Sequence, residues 1–255
     1  MKTIETINSL TENKKVLGGL IDSHLEPLLA DRRKNQQKIL ETCHTGKFLM
    51  FLDNGFKIHR LSEKPDFIIS DGSNLIGLEH QIIVDPVAKE REGFFKNLFE
   101  IAEIELQKDK SLPNFLANCD IMPYANFKIS EKEEIISTIV RVIKKYVLTD
   151  ILEENPIIEH IWKMPHSQIN ISENLGAWWQ KDLTNDILNK AVRKKEKLIS
   201  NYKENAGQEQ WLLIVIGSTG ASSYRTAGEV RYSVKTLFDK VFLFEDFYNN
   251  LYELK

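Results

Sequence analysis

The chain has 255 residues, of which 42% are hydrophobic and 28% are charged, and its formal net charge is -3. This length allows one large domain with an insertion, and no run approaches the ~18 consecutive apolar residues of a transmembrane helix. The net charge excludes a uniformly basic nucleic-acid-binding surface, although it permits a local basic patch. Two cysteines, Cys43 and Cys119, are too few for a disulfide framework, and we expect both to be buried thiols.

The first predicted element is a helix near the N-terminus. The opening residues, MKTIETINSLTENKK, have no apolar segment of the kind found in secretory signals, which predicts a cytoplasmic protein. Ser23 and Glu26 have the spacing of a capping box, and Pro27 suits a first helical turn. The sequence therefore predicts that a helix begins at Ser23 and continues to Cys43.

Two apolar strands joined by a tight turn are predicted next. The segments PDFII and NLIGLEHQIIV are separated by the turn-forming residues DGSN at 71–74. An antiparallel hairpin closed at this turn places Asp66 directly opposite Glu79, with Gly77 leaving the same face open beside them. Opposed side chains have Cβ atoms about 4.5–5.5 Å apart, and like charges there are destabilising. A cation is expected between the two acids, and their oxygens suit Mg²⁺.

A simpler interpretation of the same hairpin makes the acids ordinary charges near strand ends. Lys64 would then neutralise one of them. His80 alternates onto the apolar face of its strand, so its side chain is expected in the core and not in catalysis.

The middle of the chain, residues 86–180, is predicted to mix helices and extended segments. A helix is expected at 91–109, and Ser130 with Glu133 forms a capping box that would begin another. NFLANCDIM (114–122) reads as a strand, and 157–173 as a second hairpin around Pro165.

The C-terminal part alternates helices and strands. A long helix is predicted over 181–204, WLLIVIG (211–217) as a buried strand, and FDKVFLFE (238–245) as a strand after a short helix. This order predicts an α/β fold in which a mixed central sheet has flanking helices. The chain is expected to form a single domain over 1–255, with 86–180 as an insertion or elaboration.

The residues of the first hairpin resemble a known signature. Pro65-Asp66, a short hairpin, and Gly77-Leu78-Glu79-His80-Gln81 are similar to the motif of the PD-(D/E)XK nuclease superfamily, the restriction endonuclease-like proteins. Gln81 stands where the motif lysine usually lies. Some members of the superfamily have glutamine there, and others carry the lysine on the following helix. The resemblance implies an αβββαβ core with a helical and hairpin elaboration.

The predicted helix 181–204 carries a lysine on its apolar side. Lys194 falls between Ala191 and Leu198 on the stripe, and Lys190 borders it. Either lysine would replace the missing motif lysine if it reached the carboxylates; otherwise both would extend along apolar surface with their ammonium groups in water. The other members of the stripe are Leu183, Ile187 and Tyr202.

Further basic residues on this helix form a local positive face. Arg193, Lys195 and Lys197 suit contacts with the phosphates of a nucleic acid, although a solvated helix face is the commoner explanation.

The resemblance also implies a divalent-metal site and the residues that form it. Asp66, Glu79 and the backbone carbonyl of His80 would hold Mg²⁺ or Mn²⁺, while Gln81 would orient the attacking water. Glu26 and Glu41 are the candidates for an additional acid that contacts the metal through water. Because Glu26 is explained as a helix cap, Glu41 is preferred.

Other catalytic signatures are absent from the sequence. The six histidines form no HExxH or paired zinc pattern, and neither a GxSxG nor a GxGxxG motif occurs. The loop GSTGASS (217–223) follows a buried strand but lacks the Lys-Ser/Thr ending of a P-loop.

Together, the residues and the resemblance predict a Mg²⁺-dependent nuclease of the restriction endonuclease-like type that hydrolyses phosphodiester bonds, with endo or exo cleavage left open. The resemblance favours DNA over RNA as substrate and suggests defence against foreign DNA. Nucleic acid is the expected partner, membrane is not, and a homodimer or partner subunit stays open. One alternative, favoured by the missing lysine, is a catalytically silent nuclease fold that binds nucleic acid or a protein. The other is a regulatory subunit whose middle helices carry the function.

Overall fold

The computed structural model describes residues 10–52, 55–125, 127–176, 180–228 and 231–255, and within these ranges the chain is an α/β protein with two mixed sheets. It divides into two compact units. The first contains residues 1–83, 181–218 and 224–255, and the second contains 84–180 and 219–223. The localisation prediction was based in part on residues 1–9, which lie outside the described ranges. No helix within those ranges is long and apolar enough to cross a membrane.

The elements are numbered in chain order. The helices are α1 (Leu10–Leu29), α2 (Arg32–Leu49), α3 (Pro86–Lys108), α4 (Lys132–Thr149), α5 (Asn185–Glu196) and α6 (Ile199–Ala206), with a 3₁₀ turn at Ile129–Glu131. The strands are β1 (Lys57–Leu61), β2 (Phe67–Ser70), β3 (Leu75–Ile82), β4 (Phe115–Ile121), β5 (Ile158–Pro165), β6 (Asn170–Asn174), β7 (Gln210–Ile216), β8 (Lys240–Glu245) and β9 (Asn250–Glu253).

The first unit is built on a six-stranded sheet with the order β1-β2-β3-β7-β8-β9. β3, β7 and β8 are parallel to one another, whereas β1, β2 and β9 run antiparallel to their neighbours. Strand β7 is buried on both faces: Leu213 packs in the cluster that contains α2, and Leu212 packs in the cluster that contains α5 and α6. Helices therefore cover both faces, as expected for the parallel part of a sheet.

The predicted first hairpin is confirmed, including its register. β2 and β3 are antiparallel, with Phe67 opposite Leu78 and Ile68 opposite Gly77. Continuing this register by one residue places Asp66 opposite Glu79.

The predicted start of the first helix is wrong. Ser23, Glu26 and Pro27 lie inside α1, and the next helix begins after the N-cap Asp31, whose carboxylate accepts a hydrogen bond from the backbone N–H of Lys34 (3.1 Å). The apolar stripe extends upstream of Ser23, because Ile21 is buried in the same cluster as α2. Burial of this stripe outweighs the local capping pattern.

The predicted helix 181–204 is two helices, α5 and α6. Thr184 is the N-cap of α5, where its hydroxyl accepts from the backbone N–H of Ile187. In the described part of the segment between β7 and β8 there is no helix, contrary to the short one expected there. Strand β9 was not predicted.

The second unit has a three-stranded sheet with the order β5-β4-β6, packed in one hydrophobic cluster with α3 and α4. The extended character of 157–173 is confirmed, but the hairpin is wrong, because β5 and β6 both pair with β4 and not with each other. The predicted cap of α4 is also wrong: the helix begins at Lys132, and no side chain caps it. Cys119 is buried as expected, whereas Cys43 is half-buried.

Gly77 does not leave an open face beside the acids, contrary to expectation. A Cβ atom at this position would lie 2.2 Å from Oε1 of Gln210, which is fully buried. Nε2 of Gln210 donates to the carbonyl oxygen of Gly207 (2.6 Å), so this side chain is anchored and fills the space.

We expect Gly77→Ala to destabilise the protein by about 1–3 kcal/mol, because the added methyl group must displace an anchored, buried side chain. Gly19→Ala is the matched control: nothing lies within 4 Å of the added Cβ, and the residue is exposed in α1. It should stabilise by up to about 1 kcal/mol. Denaturant unfolding of both variants measures the difference, and equal stability of Gly77→Ala and wild type would contradict the packing described.

Candidate functional site

The two acids of the first hairpin are held side by side by main-chain hydrogen bonds. The backbone N–H of Asp66 donates to Oε2 of Glu79 (3.3 Å), and the backbone N–H of His80 donates to Oδ2 of Asp66 (2.9 Å). Glu79 is only 3% exposed. Each carboxylate is therefore fixed by the backbone of the strand that carries the other.

Two lysines from different helices neutralise these acids. Nζ of Lys38, on α2, lies 3.6 Å from Oδ1 of Asp66, and Lys195, on α5, forms a short ion pair with Oε1 of Glu79. Lys64, the residue proposed for this role from the sequence, is exposed. Helices on both sides of the sheet thus supply the positive charge.

Glu41 joins the same cluster from α2. It is 6% exposed, and its Oε2 lies 2.9 Å from Nζ of Lys38, which bridges it to Asp66. Its other oxygen accepts from Nε2 of Gln37 (2.8 Å). Glu26 is exposed inside α1 and does not cap a helix, so the reason for preferring Glu41 over it was wrong. The preference itself agrees with the structure, because Glu41 is the acid that lies near Asp66.

The lysine that reaches the hairpin is Lys195 and not Lys194 or Lys190, which are both exposed. The buried side of α5 runs through Leu188 and Val192, so that Lys195, at helical spacing from both, falls on it. Leu183, Ala191 and Tyr202 of the predicted stripe are buried, but Leu198, which placed Lys194 on that stripe, is exposed at the break between α5 and α6.

Burial of the acids has an electrostatic cost. Desolvation, followed by the negative charge of Glu79, raises the pKa of Asp66 to about 6, against the lowering effects of the His80 N–H and of Lys38. The excess of negative charge makes the site favourable for a further cation.

A buried histidine pair lies behind the acids, on the opposite face of β3. Nε2 of His80 is 3.1 Å from Nδ1 of His44, and Nε2 of His44 is 3.7 Å from Oδ2 of Asp246. Burial, with the nearby charges of His44, Lys195 and Lys38, holds the pKa of His80 well below its usual range. The core position predicted for the His80 side chain is confirmed.

Asp246 follows directly after β8 and completes this network. Burial by itself would raise the pKa of Asp246, but hydrogen bonds and charge from His44 and Lys47 outweigh burial and lower this pKa to about 2. The ammonium group of Lys47 donates to Oδ1 of Asp246 at 2.6 Å. No local pattern in the sequence indicates this network, because its members come from α2, β3 and the segment after β8.

One buried polar atom at the site, Oε1 of Gln81, has no hydrogen-bond partner among the described residues. Beside the acids, the hydroxyl of Tyr202, a residue that is 1% exposed, forms a hydrogen bond with Glu79, and burial together with the charge of Glu79 raises the pKa of Tyr202. An unpaired polar atom in such a position is costly unless a ligand or water pairs with it.

The donor set fits an oxygen-ligated divalent cation. Carboxylates from Asp66, Glu79 and Glu41, together with the carbonyl of His80, are the ligands that Mg²⁺ and Mn²⁺ prefer. With Lys38 and Lys195 paired to the acids, no group of three His, Cys, Asp or Glu side chains within the described ranges has ligating geometry. A cation would therefore have to replace a lysine contact.

The predicted nucleic-acid contacts divide into two groups. Arg193 and Lys197 are exposed, as are Lys190 and Lys194, so α5 and its end carry a positive surface. Lys195 does not belong to this surface because it pairs with Glu79.

The GSTGASS loop does not offer all its N–H groups to a phosphate. The backbone N–H and the hydroxyl of Ser222 both donate to the carboxylate of Glu92, at 2.7 Å each. A negative charge already occupies this part of the loop, which disfavours an anion there.

No protein-family model, curated protein or solved structure matches this chain. Its function therefore has to be argued from the geometry of the acids, the lysines and the unpaired polar atom.

The raised pKa of Asp66 predicts how stability depends on pH in the absence of divalent cations. An aspartate whose pKa is higher in the folded than in the unfolded state stabilises the fold most at low pH. This stabilisation is lost as the pH rises through about 6, the pKa of Asp66 in the folded protein. Asp66→Asn carries no charge and escapes the loss. With both proteins in EDTA, we expect the melting temperature of Asp66→Asn minus that of wild type to increase from about pH 5 to about pH 8.

Asp71→Asn is the control for this experiment. Asp71 lies in the turn at 71–74, and hydrogen bonds from Asn74 and Ser73 lower its pKa, so its replacement should give a penalty that is constant over the same pH range. A constant difference for Asp66→Asn as well would show that burial and the charge of Glu79 do not raise the pKa of Asp66 as described.

Proposed function

We propose that this chain is a metal-dependent nuclease of the PD-(D/E)XK type, acting on DNA. The observation that carries the proposal is the pairing of Asp66 with Glu79 across β2 and β3, buried and close to a lysine from a following helix. Two fixed carboxylates at this separation are what a divalent cation requires, and the chemistry of phosphodiester hydrolysis uses such a cation.

The order of elements in the first unit supports the finer fold assignment. Helix α2, strands β1 to β3, helices α5 and α6, and strand β7 follow one another as in the αβββαβ core that the resemblance implies. Residues 84–180 lie between β3 and α5 and would be the elaboration on that core.

Asp66, Glu79 and the carbonyl of His80 would hold Mg²⁺ or Mn²⁺, with Glu41 as an additional acid. When bound, the metal lowers the pKa of a coordinated water and stabilises charge on the scissile phosphate. The unpaired Oε1 of Gln81 would accept a hydrogen bond from the attacking water and orient it.

Lys195 supplies the positive charge that Gln81 lacks. Its ammonium group already lies against Glu79, where the charge on the phosphate develops during hydrolysis. The exposed side chains of Lys190, Arg193, Lys194 and Lys197 contact the phosphates of the bound nucleic acid.

A catalytically silent nuclease fold that binds nucleic acid or a protein is the second candidate. The observation that favours it is the pairing of the acids with Lys38 and Lys195, which supplies them with counter-ions from the chain itself. Incubation of purified protein with plasmid and single-stranded DNA separates the two functions. Cleavage with Mg²⁺ or Mn²⁺ and none with EDTA supports the nuclease, whereas DNA binding without cleavage supports the silent fold.

Asp66→Ala and Glu79→Ala should each abolish cleavage while the fold is retained. At a Mg²⁺ concentration 100 times its dissociation constant, binding should stabilise the folded wild type by about 2.7 kcal/mol and so raise its melting temperature. Both variants should lose this rise. Glu26→Ala, an exposed acid on α1, is the control and should keep both properties. Undiminished stabilisation by Mg²⁺ in the two site variants would show that these acids are not the ligands.

Lys195→Met should reduce the cleavage rate by about 10²-fold or more, the scale of losing one preorganised electrostatic contact. Lys194→Met is the matched control on the same helix: its side chain is exposed, so only a small, salt-dependent effect on DNA affinity is expected. Because Lys195→Met leaves Glu79 buried without its partner, rates are compared at a temperature where unfolding curves show both variants folded. Equal rates for the two variants would refute the role given to Lys195.

A further inference from the structure

Lys38 occupies a central position among the acids. Its ammonium group lies 2.9 Å from Oε2 of Glu41 and 3.6 Å from Oδ1 of Asp66, and it donates to the carbonyl oxygen of Ser62 (3.3 Å). The stem of the side chain is partly buried, with the ammonium 5.0 Å from the centre of the Phe67 ring. Lys38 thus contacts two of the three carboxylates that the proposed function gives to the metal.

We propose that Lys38 is a built-in counter-ion of the metal site: it bridges Glu41 and Asp66 in the metal-free protein, and a divalent cation displaces it when it binds. This inference rests on the proposed function, because it concerns the same site. Lys38 would thereby control the affinity of the site for metal, a role that the motif resemblance does not include.

The charges explain why one cation must leave for the other to bind. Three carboxylates with Lys38 and Lys195 leave one net negative charge, so the metal-free cluster is nearly balanced. A divalent cation that contacts Glu41 and Asp66 needs the oxygens that face Lys38, and an ammonium a few ångströms away would repel it strongly at low dielectric. Displacement of Lys38 removes both obstacles.

The acids are more than an isolated cluster of negative charge. The buried hydroxyl of Tyr202 bonds to Glu79, whereas Oε1 of Gln81, two residues beyond Glu79 on the same face of β3, has no hydrogen-bond partner among the described residues. This oxygen marks a place where a bound ligand or its water shell would complete the hydrogen bonding, which two lysines alone do not achieve.

Metal affinity measured without nucleic acid tests the proposal. Titration of the full chain with Mn²⁺ alone, by calorimetry, should show Lys38→Met binding the metal at least tenfold more tightly than wild type, because one positive charge and two oxygen contacts are removed from competition. Lys38→Arg keeps the charge and should bind like wild type. Lys34→Met is the control: Lys34 is exposed on the same helix one turn earlier, and its loss should change affinity less than about twofold.

A second variant and a second readout guard against a folding defect. Lys38→Gln removes the charge but retains a donor for Glu41 or the Ser62 carbonyl, and it should show the same tighter binding if Lys38→Met does not fold. The rise in melting temperature on adding Mn²⁺ should be larger in either variant than in wild type.

The outcomes separate the two proposals. If wild type binds Mn²⁺ and the uncharged variants bind it equally or more weakly, Lys38 is not a displaced counter-ion, while the metal site stands. If neither wild type nor any variant binds Mn²⁺, both the counter-ion and the proposed nuclease function are wrong.

Discussion

The structure of the site depends on one constraint: two carboxylates, Asp66 and Glu79, are forced together by the register of a hairpin. The register follows from the turn at 71–74 and is fixed by Phe67, Ile69, Ile76 and Leu78, which pack in one cluster on the same face. Desolvation of the carboxylate, followed by the charge of Glu79, raises the pKa of Asp66. Every charged group around the hairpin can be understood as a response to this constraint, beginning with the lysines that approach from helices on both sides of the sheet.

The sheet determines where such a response is available. Because β3 is followed in space by the parallel strand β7, Glu79 lies beside Leu212 on the face covered by α5, which is why Lys195 reaches it. Asp66 precedes β2, at the end of a strand, so that Lys38 of α2 can reach it although the apolar residues of α2 pack on the other face. The backbone places the acids, and side chains from two separate helices neutralise them.

The sequence predicted those parts of the site that depend on local pattern. Turn residues and strand alternation were enough to pair Asp66 with Glu79 and to bury the His80 side chain. Long-range placement was not accessible: Lys38 is one of many lysines, and nothing local shows that α2 crosses the end of β2. The difference between Lys194 and Lys195 is a rotation of about 100° on the helix. It was missed because the chain breaks between α5 and α6, and Leu198, which placed Lys194 on the predicted stripe, lies exposed at that break.

The two candidate functions share one geometry and differ in whether the lysines can leave it. The acids are the fixed part, since Glu79 is almost fully buried and both hairpin carboxylates accept main-chain hydrogen bonds. The cations are the exchangeable part: the side chains of Lys38 and Lys195 are 19% and 22% exposed, on flexible four-carbon stems. A rigid negative site with removable positive partners favours exchange for a metal. Burying three acids and the unpaired Oε1 of Gln81 in one place is costly, and a bound cation with its water shell would offset that cost.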